Sequence, residues 1–160
     1  YEVVKIGQQI WMAENFNYNT NTADSTSSWY YDDDQATYEE QYGRLYTWFV
    51  ATSDNFAPEG WELASETQWE TMINFLGEET AGDQLKVGGG SGFELEFSGV
   101  RLPDARYFGD GTGGVYWTST TRPNSDGTSA TAYDIVNDRS DAPSFYYPKV
   151  RAAAIRFIKN

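Results

Sequence analysis

Ser65-Glu66-Thr67-Gln68-Trp69-Glu70-Thr71-Met72-Ile73-Asn74-Phe75-Leu76-Gly77 is the stretch on which the fold turns. Ser65 is a strong helix N-cap. Gln68, three positions on, completes a capping box in which each partner satisfies an amide that the first helical turn leaves free. Trp69, Met72, Ile73 and Leu76 then recur at helical spacing as one apolar stripe. Gly77 is the natural stop. Such a stripe is a core-facing surface, so this helix must lie against other elements.

Those elements are mostly short strands. On the amino-terminal side, residues 2–12 read as two strands around a glycine turn, and residues 17–38 are polar and end in Tyr30-Tyr31-Asp32-Asp33-Asp34. Within residues 39–53, Tyr42, Leu45, Tyr46 and Phe49 fall at helical spacing, which predicts a first helix; residues 55–63 give a loop and a short strand. On the carboxyl-terminal side a glycine-rich loop (88–92) precedes Phe93–Leu102, whose alternation of apolar and polar residues marks a half-buried strand. Val115–Ser119 and Arg151–Ile158 read as further strands. The span from Arg101 to Lys149 otherwise reads as a long polar, aromatic loop region. The expected fold class is therefore α+β: two helices packed on short antiparallel sheets, with a long C-terminal loop region, forming a single domain over residues 1–160. Both terminal segments read as strands, and pairing them closes the domain on itself.

Composition narrows the chemistry. Among 160 residues there are 6 Trp and 12 Tyr, so the core rests on rings, with Trp48, Trp61 and Trp117 expected inside it. The formal net charge of −13 argues against a nucleic-acid partner and against an anionic membrane surface, both of which select clustered Lys and Arg. It fits either solubility or neutralisation of some carboxylates by calcium. The absence of cysteine excludes disulfides and thiolate chemistry, and the absence of histidine removes the commonest general base and transition-metal ligand. No apolar run approaches membrane-spanning length, so membrane insertion is not expected. The chain begins at Tyr1 and reads as an excised domain or mature fragment.

Several blocks together resemble one family: Val4-Lys5-Ile6-Gly7-Gln8-Gln9-Ile10-Trp11-Met12-Ala13-Glu14-Asn15, Tyr42-Gly43-Arg44-Leu45-Tyr46-Thr47-Trp48, Pro58-Glu59-Gly60-Trp61, and Tyr116-Trp117-Thr118-Ser119-Thr120. They are similar to the Fibrobacter succinogenes major paralogous domain of bacterial surface and secreted proteins, and the likeness covers nearly the whole chain. The resemblance implies a C-type-lectin-like fold. The cysteines common in that family are missing here. Acidic, cysteine-free sequence also resembles the ligand-binding domains of large calcium-dependent bacterial adhesins. That likeness implies an extracellular or cell-surface location, a monomeric module within a larger multidomain chain, and a peptide-end or carbohydrate ligand held with the help of Ca²⁺.

Calcium requires six to eight oxygens, including carboxylates. Candidate ligands are Asp33 and Asp34 in the acidic run, Asp104 and Asp110 around a glycine-rich turn, and Asp126, Asp134 and Asp138 further on. The bland readings are a hydrated acidic turn for the first and a tight Asp-Gly turn for the second. The candidate ligand-binding set is Tyr107, Arg122, Asn124, Asp126, Tyr133, Asp138, Arg139 and Tyr146, chosen as aromatic and polar side chains in turn-rich sequence. With no histidine, cysteine or nucleophile motif the domain reads as a binding module and not an enzyme. A structural spacer and an acidic hydrolase are the alternatives.

Overall fold

A hairpin opens the chain, with β1 (Val3–Ile6) and β2 (Gln9–Met12) turning at Gly7. The computed structural model describes residues 1–22, 27–123 and 126–160. The short β3 (Ser28–Trp29) leads through a single 3₁₀ turn at Tyr31–Asp33 into α1 (Gln35–Tyr42). Then come β4 (Leu45–Thr47), the one-turn α2 (Trp48–Ala51), β5 (Trp61–Leu63), α3 (Glu66–Leu76) and α4 (Ala81–Leu85). The remainder is strand: β6 (Ser98–Arg101), β7 (Tyr107–Asp110), β8 (Gly113–Thr121), β9 (Ser129–Val136), β10 (Ser144–Pro148), β11 (Ala152–Ala153) and β12 (Phe157–Lys159).

The helix predicted from its cap forms as expected. Ser65 Oγ accepts from the Gln68 amide at 3.2 Å, and the Ser65 amide donates to Gln68 Oε1 at 2.7 Å. Its stripe is buried at Trp69, Met72 and Ile73. Trp69 stacks on Tyr133 at 4.8 Å and meets Trp11 edge-on at 5.4 Å, so the helix is anchored on rings from β9 and β2. The terminal strands pair as expected: β12 lies between β2 and β5 in a four-stranded sheet ordered β1-β2-β12-β5.

The expected first helix over 39–53 is instead α1, strand β4 and α2. Gly43 separates them: it sits at φ +64°, and a Cβ there would stand 3.0 Å from the Asn15 carbonyl oxygen, so only glycine lets the chain turn this close to the β2 exit. The expected loop region of Arg101–Lys149 is largely sheet. The strands β8, β9 and β10 form an antiparallel meander that continues into an eight-stranded sheet ordered β10-β9-β8-β6-β11-β4-β3, with β7 paired to β6. From Gly113 to Thr118 every residue of β8 is buried, so the alternation that betrays a half-exposed strand is absent there. Small Ala and Thr residues likewise carry β9 through the interior. Trp117 is enclosed as expected, donating from Nε1 to the Tyr46 carbonyl at 2.8 Å, whereas Trp48 and Trp61 are only partly covered.

Candidate functional site

The predicted calcium ligands are spread over the molecule and mostly engaged. Asp33 accepts from the Tyr107 hydroxyl at 2.7 Å. Asp34 caps α1 through the Thr37 amide and hydroxyl, which hold its carboxyl below the usual range. Asp104 pairs with Arg106 at 2.8 Å on the surface. Asp110 accepts from Tyr42 at 2.7 Å and Tyr38 at 3.1 Å, which ties α1 to β7. Asp126 closes its own turn onto the Thr128 amide and hydroxyl. Asp134 is half-buried on β9, where burial raises its pKa, and Asp138 is exposed in the β9–β10 turn. Asp126 and Asp138 flank opposite ends of the eight-residue β9, so roughly 25 Å of strand separates them and no single ion can bridge both. Among the described residues no three acidic side chains converge into a set fit for a metal ion.

The predicted ligand contacts divide in the same way. Arg122 lies over the Tyr146 ring at 4.8 Å; the Thr128 hydroxyl and amide hold the Asp126 carboxyl low and the Arg122 charge adds a little, so these three gather at one end of the meander. Asn124 lies outside the described residues. Arg139 is at the other end, in a bidentate pair with Asp141 at 2.7 and 2.9 Å. Tyr107 is turned toward Asp33. Tyr133 was expected in an exposed turn but is a core residue, because β9 directs its ring onto Trp69.

A concavity of about 560 Å³ lies elsewhere, beside the amino-terminal hairpin. Six glutamates line it: Glu2, Glu14, Glu39, Glu40, Glu94 and Glu96. They come from the β1 approach, the β2 exit, the second half of α1 and the segment before β6. Asn15 joins these pieces, donating to the Tyr42 carbonyl at 2.9 Å and accepting from Arg156 Nε at 2.7 Å. Arg156 is fully buried and forms part of the cleft wall. It also donates to the carbonyls of Met12 at 3.2 Å, Phe93 at 2.8 Å and Glu94 at 2.6 Å.

Every acceptor of Arg156 is a neutral oxygen. Burial lowers its pKa to about 10, opposed by Tyr116, Glu96, Glu14 and Glu94, and it remains a cation at neutral pH. Burial likewise raises the Glu96 carboxyl, with Arg156 opposing. The result is a walled cleft with a strongly negative rim and one enclosed positive charge that is already satisfied. Its field attracts a cation: at 4 Å one opposed charge pair is worth about 1 kcal/mol in water and about 4 kcal/mol near a protein surface.

Sequence reading missed this site because its acids are scattered from position 2 to 96 and form no motif. One signal was present: Arg156 interrupts the apolar run Ala152-Ala153-Ala154-Ile155-Arg156-Phe157-Ile158, and a charge inside such a run must be held by buried acceptors. No helix is long and apolar enough to cross a membrane among the described residues. Comparison with curated proteins and with solved structures finds no match. A family model described as Fibrobacter succinogenes major domain matches residues 4–159, nearly the whole chain, and the chain belongs to that family.

Proposed function

We propose that this domain is an extracellular, non-catalytic binding module of a bacterial surface protein, and that the acidic cleft receives a positively charged group of its ligand. The observation that carries the reading is six glutamates around a cleft whose one cation is fully buried and bonded to neutral oxygens. None of those carboxylates forms an ion pair with Arg156; Glu39 accepts from Tyr30 and Gln35 and Glu94 from the Gly88 amide, neutral donors that leave their negative charge uncancelled. Between the two ligand classes that the family likeness implies, this favours a peptide end, with its amine or a basic side chain in the cleft, over a neutral glycan. The fold is read as C-type-lectin-like; the closure of the chain ends in one sheet by β2 and β12 supports that reading. The charge of the cleft carries this reading without a calcium step, and calcium assistance remains a separate proposal.

The test is calorimetric titration of a short lysine-containing peptide amide at low salt and at physiological salt. Binding is expected at low salt, weaker at about 0.15 M where the screening length is about 8 Å. Glu94→Gln with Glu96→Gln should weaken it on the order of tenfold, or about 1.4 kcal/mol. Equal affinity in wild type and double variant sinks the cleft as the site. Repeating the titration with calcium and with a chelator reveals any ion outside this account.

A further inference from the structure

A second, smaller cavity of about 270 Å³ opens between α3 and the β9–β10 hairpin. Its helical wall follows from the register of α3. Trp69, Met72 and Ile73 turn inward, which leaves Glu70 and Asn74, four positions apart, side by side at the cavity, with Glu78 just past the helix end. The facing wall is the turn into β10, with Ala142, Pro143 and Ser144. Backbone bonds fix that wall: the Asp134 amide donates to the Pro143 carbonyl at 3.0 Å, the Asp83 amide donates to the Ser140 carbonyl at 3.1 Å, and Ser144 is paired with Tyr133 across the hairpin. The cavity is thus built into the fold.

Tyr133 lies between the walls. It is 2% exposed and its ring stacks on Trp69, yet it lines the cavity and its hydroxyl has no hydrogen-bond partner among the described residues. Burial raises its pKa, and the charges of Glu70 and Glu66 add to the rise, so the phenol keeps its proton. It therefore offers one donor and acceptor lone pairs, all unused, at the edge of the core. Buried side-chain polar groups are with few exceptions hydrogen-bonded, so this one asks for a guest. The side chains of Glu70, Asn74, Glu78 and Ser144 likewise make no hydrogen bond or ion pair among the described residues, whereas Asp141 is taken by Arg139.

This mixture selects a type of ligand. An ammonium only donates, and would leave the Tyr133 hydroxyl proton without an acceptor. An alcohol does both: it accepts from Tyr133 and donates onward to a carboxylate. Asn74 and Ser144 extend the same alternation of donor and acceptor, and Ile73, Ala142 and Pro143 offer apolar contact to C–H groups. Ligand sites commonly begin at about 300 Å³, so this cavity suits one ring and not a chain of them. We propose that it binds a single polyhydroxylated ring, a sugar residue, whose hydroxyls are shared among Tyr133, Glu70 and Asn74. The site is separate from the acidic cleft and does not depend on the reading of that cleft.

The experiment is a heteronuclear NMR titration of the intact domain with the methyl glycosides of glucose, galactose, mannose and fucose, with methylammonium chloride and sodium chloride as controls. Saturable shifts at the Asn74, Tyr133 and Ser144 amides are expected for at least one glycoside and for neither salt. Tyr133→Phe keeps the ring on Trp69, removes only the hydroxyl, and should weaken binding about fivefold to tenfold, the worth of one hydrogen bond. Asn74→Ala, at an exposed helical position, should weaken it by a similar factor and carries the test if Tyr133→Phe fails to fold. Glu94→Gln with Glu96→Gln should bind the glycoside as wild type does. No saturable response to any of the four glycosides overturns the site, as does wild-type affinity in Tyr133→Phe. Saturation by methylammonium at the same amides overturns it in favour of a cation site.

Discussion

Arg156 and Lys149 are both buried cations in a strongly acidic chain, and the protein treats them in opposite ways. Arg156 spreads four hydrogen bonds over Asn15 and three carbonyls, so its charge is shared by neutral dipoles from two distant parts of the chain. Lys149 rests against one indole and makes no hydrogen bond from its ammonium among the described residues. The planar guanidinium presents fixed donors that a folded backbone can match, whereas the ammonium is a compact charge that keeps its demand for acceptors. A cation satisfied internally acts as structure and leaves the surrounding carboxylates for a guest.

The contrast breaks if the two residues respond alike to removal. Arg156→Met leaves Asn15 Oδ1 and three carbonyls without their donor, and chemical denaturation should report a loss of about 3–5 kcal/mol, a large share of the total stability of a small domain. Lys149→Met should stay within about 1 kcal/mol of wild type, because it loses only the indole contact of the ammonium and keeps the aliphatic stem in place. Comparable losses in the two variants would show that Lys149 is a structural cation as well.

A smaller effect sharpens the picture of the cleft. Because burial raises the Glu96 carboxyl, its contribution favours the fold below the ordinary glutamate pKa and is lost as pH rises through the higher folded value. Melting curves from about pH 4 to about pH 7 should therefore show Glu96→Gln gaining on wild type as pH rises. A constant difference across that range would mean that Glu96 is not held in a desolvated position. Smallest of all, Asp138→Ala, at an exposed turn, should change stability by no more than about 0.5 kcal/mol in the same assay.

Local chemistry was legible wherever it acted within a few residues. The Ser65–Gln68 capping box, the Trp69-Met72-Ile73 stripe, the amino-terminal hairpin and the Asp110-Gly111 turn all follow from side chains meeting their near neighbours in sequence, and each stands in the structure. The family was legible too, since the blocks around Trp11, Tyr42 and Trp117 are contiguous. Tertiary structure alone decided that Gly113–Thr121 is a strand buried through most of its length, because a segment covered on both faces carries no period. It alone sent Tyr133 inward and split the expected helix at Gly43, where the Asn15 carbonyl leaves no room for a side chain. It also assembled the acidic cleft, six glutamates from four distant segments, and set a lysine on a tryptophan about a hundred positions away in sequence. Electrostatic fields and desolvation depend on distances in space, and a linear order of residues holds no record of those until the sheets close.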